Sequence, residues 1–163
     1  MIAPVAENDS YPGTLAENIG FLLARAHLVA RDRADTALAR LGLNAKAYAA
    51  LATVIGAGPI SQQKLSRRLG MDPATMVDVI DSLEESGHVA RARNPSDRRE
   101  YSLQPTPKGR RLYQRAQTAV AEAEDEALGG MTAEERQTLM DLLGRIAGTR
   151  ADGASAAYDV IRR

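Results

Sequence analysis

The sequence predicts a mainly α-helical protein with a small β-wing, and three features of its 163 residues carry that prediction. First, apolar residues recur at helical spacing along most of the chain, between Asn, Asp, Ser or Thr start signals and terminating glycines. Second, two short segments with strand character, HVARAR and REYSLQ, flank the polar turn Asn94-Pro95-Ser96-Asp97. Third, the helix just before that hairpin is sharply marked. Asp72 caps it, Pro73 is pre-set for its first position, Met76, Ile80 and Leu83 form one stripe with Val77 and Val79 beside them, and Gly87 ends it. A helix followed at once by a basic hairpin is the reading half of a winged helix-turn-helix.

Taken in order, the chain opens with a loose polar lead-in over residues 1–13 that does not read as a signal peptide. Thr14, with Glu17 three residues on, predicts a capping box. Apolar positions from Leu15 to Leu41 then sustain a helical period to Gly42. That is one helix of roughly 27 residues, against an average of about 12. So long a helix in a small chain cannot bury its whole stripe within its own fold, so part of it is expected to form dimer surface. The competing expectation is a helix packed entirely within one chain.

Asn44 caps the next helix, expected to be buried through Tyr48, Leu51, Ala52 and Ile55. Gly56-Ala57-Gly58-Pro59 ends it and is no dinucleotide fingerprint, because it follows a helix and lacks the third glycine. Ser61 caps a short helix with Leu65 and Leu69 inward, and Gly70-Met71 turns into the helix begun by Asp72. Residues 61–87 are thus a helix-turn-helix. Past the hairpin, Thr106-Pro107 starts a long helix lined by Leu112, Ala116, Ala119, Val120, Ala123 and Ala127, reaching Gly129-Gly130. Its small residues permit close helix approach. Thr132 and Glu135 predict a second capping box, before a last helix carrying Leu139, Leu142, Leu143, Ile146 and Ala147. The alanine-rich tail spans 151–163.

Composition narrows the function. Hydrophobic residues at 44% and charged ones at 26% suit a globular domain, and no apolar run approaches the ~20 residues that cross a bilayer. No membrane partner is expected. With no cysteine, disulfides and thiolate metal sites are excluded within this chain, which fits a cytoplasmic protein. Net charge is zero, but its distribution is polar. From His88 to Arg115 eight basic residues face only Asp97 and Glu100, whereas from Glu122 to Asp141 seven acidic residues face Arg136 alone. That polarity suits a protein that lays one face on DNA and keeps the opposite face in solvent.

The order of these pieces resembles a MarR-family transcription regulator over about residues 15–148. Asn94-Pro95-Ser96-Asp97-Arg98-Arg99 matches the family's D-P-x-D-R-R wing, with Asn for the first Asp. Leu83-Glu84-Glu85-Ser86-Gly87-His88-Val89 matches its L-E-x-x-G-L-[IV] run, with His88 where Leu is usual. Leu41-Gly42-Leu43 and Thr106-Pro107-Lys108-Gly109 also fit. The resemblance implies an obligate homodimer, with 15–42 and 107–150 as the helical dimerisation region and 44–105 as the winged helix-turn-helix. Two-fold symmetry then implies a pseudo-palindromic operator on double-stranded DNA, its half-sites about one helical turn apart. The role expected is that of a repressor, regulating its own gene or a divergent neighbour.

Site residues follow. Ala74, Thr75, Met76 and Asp78 lie early on the helix expected to enter the groove. Thr75 suits a phosphate or base edge, and Ala74 a thymine methyl. Asp78 stands where a basic or neutral polar residue is common, leaving three alternatives: accepting from cytosine, pairing with a neighbouring arginine, or pointing away. Gln62, Lys64 and Arg67 are expected on phosphates, fixing register; Arg68 reads equally as a solvated face residue. Arg91 and Arg93 are expected on the exposed side of the strand. At the wing tip, Ser96 and Asp97 accompany Arg98 and Arg99, with Asp97 bracing one arginine while the other reaches DNA.

By the same resemblance, family members often sense small amphipathic or aromatic anions in a cleft between the dimer helices and the winged helix, and a small aromatic or phenolic acid is the expected ligand here. His27 and Arg31, one turn apart, and Tyr48 are the candidates, since a cation beside a polar-tipped ring suits a carboxylate on a ring. No cofactor or metal is expected: His27 and His88 lie in separate elements, and neither a phosphate loop nor a nucleophile motif is present. An enzyme is therefore not expected. The alternative function is a winged helix serving only as a protein-interaction module.

Overall fold

The structure, a computed structural model, describes residues 13–93 and 101–148. Among these lie seven helices and one strand pair: α1 (Gly13–Ala16), α2 (Ile19–Ala39), α3 (Ala45–Ala57), α4 (Gln62–Leu69), α5 (Pro73–Glu85), β1 (Val89–Arg93), β2 (Tyr101–Pro105), α6 (Pro107–Ala127) and α7 (Ala133–Ile146). The fold is mainly helical with a small antiparallel wing. None of the described helices is long and apolar enough to cross a membrane.

Most start signals act as their chemistry requires. Asn44 accepts from the Ala47 amide at 2.8 Å, Asp72 from Thr75 at 2.9 Å and Thr106 from Gly109 at 3.0 Å. Thr132 and Glu135 form the reciprocal capping box, at 3.3 and 2.8 Å. The start of the chain departs from expectation. Thr14 and Glu17 make no capping box; Asn18 instead breaks the helix in two. Its amide donates to the Leu15 carbonyl at 3.1 Å, while its side chain accepts from Phe21 at 2.9 Å and caps α2 afresh. A short side chain that bonds the backbone locally wins over helix continuation. The long helix therefore has 21 residues rather than 27 or so.

β1 and β2 pair antiparallel, with Val89 opposite Pro105, Arg91 opposite Leu103 and Arg93 opposite Tyr101. A third short edge has no signature in the sequence: Ile60 bridges Leu103, exchanging bonds of 3.3 and 2.8 Å. The hairpin is thereby tied to the loop before α4.

One core joins these elements. Leu51, Val54, Leu65, Leu69, Met76, Ile80, Leu83, Val89 and Leu103 are buried together, and Leu38, Leu112 and Ala116 bring α2 and α6 into the same cluster. In α3 the buried residues are Ala49, Ala50, Leu51 and Val54, whereas Tyr48, Ala52 and Ile55 are half-buried. The expected face is rotated because α3 is packed by α4, α5, α6 and β2. The ends are different. Leu38 is the only buried residue of α2, and α7 has none. Ile19 is 72% exposed, Ile146 68% and Met140 65%, so both helices show apolar side chains to the outside.

Candidate nucleic-acid interface

The interface is built on the corner between α4 and α5. Gly70 ends α4 in the left-handed region, at φ 61°, which a side chain would strain. The buried Ser66 hydroxyl then donates to the Met71 carbonyl at 2.7 Å, locking the turn from inside. Sequence reasoning misses Ser66; its place between Leu65 and Leu69 is the available signal. Next, Asp72 accepts from both the amide and the hydroxyl of Thr75, and these bonds hold its carboxyl below the ordinary carboxylate value. Lys64 and Arg67 are exposed on α4.

α5 separates its faces cleanly. Met76, Val79, Ile80 and Leu83 are buried. This corrects Met76 as a DNA-contacting residue: it is fully enclosed in the core, and only its role in the apolar stripe stands. Ala74 and Asp78 are both exposed and one turn apart, about 40° from each other around the axis and opposite that stripe. Val77, 40% exposed, lies between them in sequence. Thr75 is half-buried, with its hydroxyl turned to Asp72.

Arg91 is also corrected. Rather than facing outward, its guanidinium bonds Asp81 at 2.6 Å, pairs with Glu84 and reaches Gln62 Oε1 at 3.3 Å; its backbone amide meets Glu84 at 3.4 Å. A planar, five-donor guanidinium suits such a cluster, and the bond to Asp81 is the main reason its pKa is raised. Gln62 is drawn into the same network, so it braces the hairpin rather than standing free. The result ties β1, α5 and α4 together, so hairpin and helix present one surface. Asp81 and Glu84, three apart on α5 and shortly before Arg91, are the signal that could have found this brace. Arg93, two residues further out, is exposed opposite the exposed Tyr101. Ser96, Asp97, Arg98 and Arg99 lie outside the described residues.

A second junction holds the hairpin from behind. The Thr106 hydroxyl donates to the Gly87 carbonyl at 2.7 Å, and Lys108 Nζ to the Ser86 carbonyl at 2.8 Å. Gly109 packs so close that a Cβ there would overlap the His88 carbonyl. Burial, followed by the charge of Lys108, lowers the His88 pKa.

The three ligand candidates are not brought together within the chain. His27 is exposed, and Arg31 bonds Asp35 on its own helix at 3.4 Å. Arg33 meets Glu126 at 3.3 Å, placing this part of α2 near the end of α6. Tyr48 stacks on Tyr113, with centroids 5.9 Å apart, near the start of α6. Residues 113 and 126 are separated by about 20 Å along that helix. Sequence reasoning misses Tyr113 as well; its helical spacing from Ala116 is the signal available.

A helix-turn-helix braced by a hairpin, with the outer face of its second helix open, defines a winged helix-turn-helix protein. The model described as MarR family matches residues 43–101. A putative transcriptional regulatory protein for the hcr operon of Thauera aromatica is 32% identical over 135 residues, 82% of this chain and 81% of the relative. The transcriptional repressor Rv2887 of Mycobacterium tuberculosis is 30% identical over 78% of this chain and 92% of its own. CouR, a transcriptional repressor solved on a 23-mer DNA duplex, superimposes with a TM-score of 0.73 at 30% identity, covering 86% of this chain and 99% of that one. CouR from Rhodococcus jostii RHA1 has also been solved with p-coumaroyl-CoA, and Rv2887 with DNA and with p-aminosalicylic acid. This chain belongs to the MarR family.

Proposed function

We propose that the protein is a transcriptional repressor that binds double-stranded DNA sequence-specifically as a homodimer on a pseudo-palindromic operator, and that a small aromatic acid or its thioester releases it. The observation that carries this is the outward face of α5, with Ala74 and Asp78 open to solvent beside a hairpin that Arg91 holds in place. The repressor relatives solved on DNA support the same reading. Lys64, Arg67 and Arg93 are exposed cations that suit phosphate, and Arg98 and Arg99, expected from the sequence to do the same, lie outside the described residues. The protein-interaction module is not favoured, since it needs no basic wing. As a cytoplasmic regulator, the chain needs no catalytic centre.

For the ligand, the Tyr48–Tyr113 stack between α3 and α6 is a ring-lined place where a reading domain meets a long helix. The aromatic ligands of CouR and Rv2887 support that class. Release requires the ligand to favour a conformation that fits DNA less well.

The test is a gel-shift with DNA upstream of the protein's own gene across a salt series. The wild-type chain should bind, and Arg98→Ala with Arg99→Ala should weaken binding to every sequence. Its slope of log affinity against log salt should shrink by about one for each phosphate that the variant no longer neutralises. No shift with wild-type protein would overturn the regulator; an unchanged slope in the variant would remove the wing from the mechanism.

A further inference from the structure

Asp78 is the most anomalous group on the proposed reading face: a carboxylate where the helix would meet a polyanion. Three explanations are open to it, and the geometry separates them. Pointing away is excluded by position, because Asp78 is exposed one turn from Ala74 and lies opposite the buried stripe of Met76, Val79, Ile80 and Leu83. Pairing with the nearby strand arginine does not occur either. The Arg91 guanidinium is bonded to Asp81, Glu84 and Gln62, and neither it nor exposed Arg93 makes an ion pair with Asp78 among the described residues. Three other acidic residues of this helix and its cap have structural work: Asp72 caps the helix, and Asp81 and Glu84 hold the hairpin, while exposed Glu85 lies at the far end of α5, two turns beyond Asp78. Asp78 has no such work.

Phosphate cannot be its partner, since two anions repel. What remains in a major groove is a hydrogen-bond donor, and the donor unique to one base pair at an accessible edge for a lone carboxylate is the N4 amino group of cytosine. Adenine N6 sits beside an N7 acceptor, which an acid cannot satisfy but a carboxamide can. Resting on the regulator reading above, we infer that Asp78 is a specificity-determining residue that accepts from a cytosine in each half-site. The same carboxylate weakens binding everywhere else, because it loses its hydration beside phosphate with nothing in return. It thus widens the ratio between operator and other DNA.

The experiment is selection of bound duplexes from a random library with full-length wild-type protein, Asp78→Asn and Asp78→Ala. Wild type should return a two-fold motif with one cytosine column per half-site. Asp78→Asn should turn that column to adenine, and Asp78→Ala should flatten it, with other columns kept. Replacing the cytosine should cost wild type about tenfold or more in affinity and Asp78→Ala almost nothing. If wild type returns a motif that both variants share, or if Asp78→Ala tightens all duplexes equally, the inference is overturned while the regulator stands. If wild type returns no motif at all, both fall.

Discussion

His88 occupies a position where burial and the neighbouring Lys108 charge both disfavour its protonated form. Its folded pKa is therefore below the unfolded value near 6.5. The unfolded chain takes up a proton first as pH falls, so stability declines through about pH 6.5 and levels off below the folded pKa. His88→Leu should remove this decline. Between pH 7.5 and 5 the thermal midpoint of wild type should fall relative to that of His88→Leu as the solution is acidified; parallel curves would show that His88 carries no such linkage. Arg91 makes a different point at the same scale. In the sequence it alternates with alanine like any solvated strand cation, and nothing local distinguishes it from Arg93. The carboxylates of Asp81 and Glu84 decide, because they lie across the helix–strand junction.

Among the elements, the joint of α5, β1 and α6 is built most tightly. Thr106 caps α6 and donates to Gly87, Lys108 ties down Ser86, and Gly109 lies against the His88 carbonyl. Gly109→Ala forces backbone apart and should destabilise the fold by about 2 kcal/mol, seen as a lower urea midpoint at unchanged slope. Gly56→Ala is the contrast, since it lies inside α3 with nothing within 4 Å of its Cβ position. There the change should stabilise by about 0.5–1 kcal/mol through helix propensity and a less free unfolded chain. Equal effects at both sites would mean the packing at Gly109 relaxes freely. Caps were legible because each is settled within three residues: Asn44, Asp72, Thr106 and Thr132 all act as their spacing predicts. The break at Asn18 was not, because Thr14–Glu17 and Asn18–Phe21 are rival local signals and both satisfy the same rule.

At the scale of the whole molecule, the described residues leave two helices with apolar side chains uncovered. α7 buries nothing, and its Met140, Leu142, Leu143 and Ile146 are exposed, as are Ile19, Leu22 and Leu28 of α2. A helix with no buried side chain gains little from its own protomer, and each such residue stabilises by about 1.5–3 kcal/mol once covered. A second copy, in the homodimer proposed above, is the cover that fits these faces. Leu142→Glu with Ile146→Glu, one turn apart, should leave helicity intact and yield a monomer in analytical ultracentrifugation. Operator affinity should fall on the order of 100-fold or more, as two linked half-site contacts become independent. A dimer that persists would take α7 out of the interface.

The sequence by itself determined the class of fold, the order of elements from Asn44 onward, the caps of those helices and the basic hairpin after the reading helix, because each depends on spacings of a few residues. Its apolar stripe also placed Met76 inside, even though its nearness to the helix start argued for DNA. Only the tertiary structure decided which charges are free. It drew Arg91 and Gln62 into a brace, left Asp78 open, stacked Tyr48 on Tyr113 and separated that pair from His27 and Arg31. Those outcomes depend on which elements lie side by side, and a partner supplied from across the fold leaves no trace in the residues next to it.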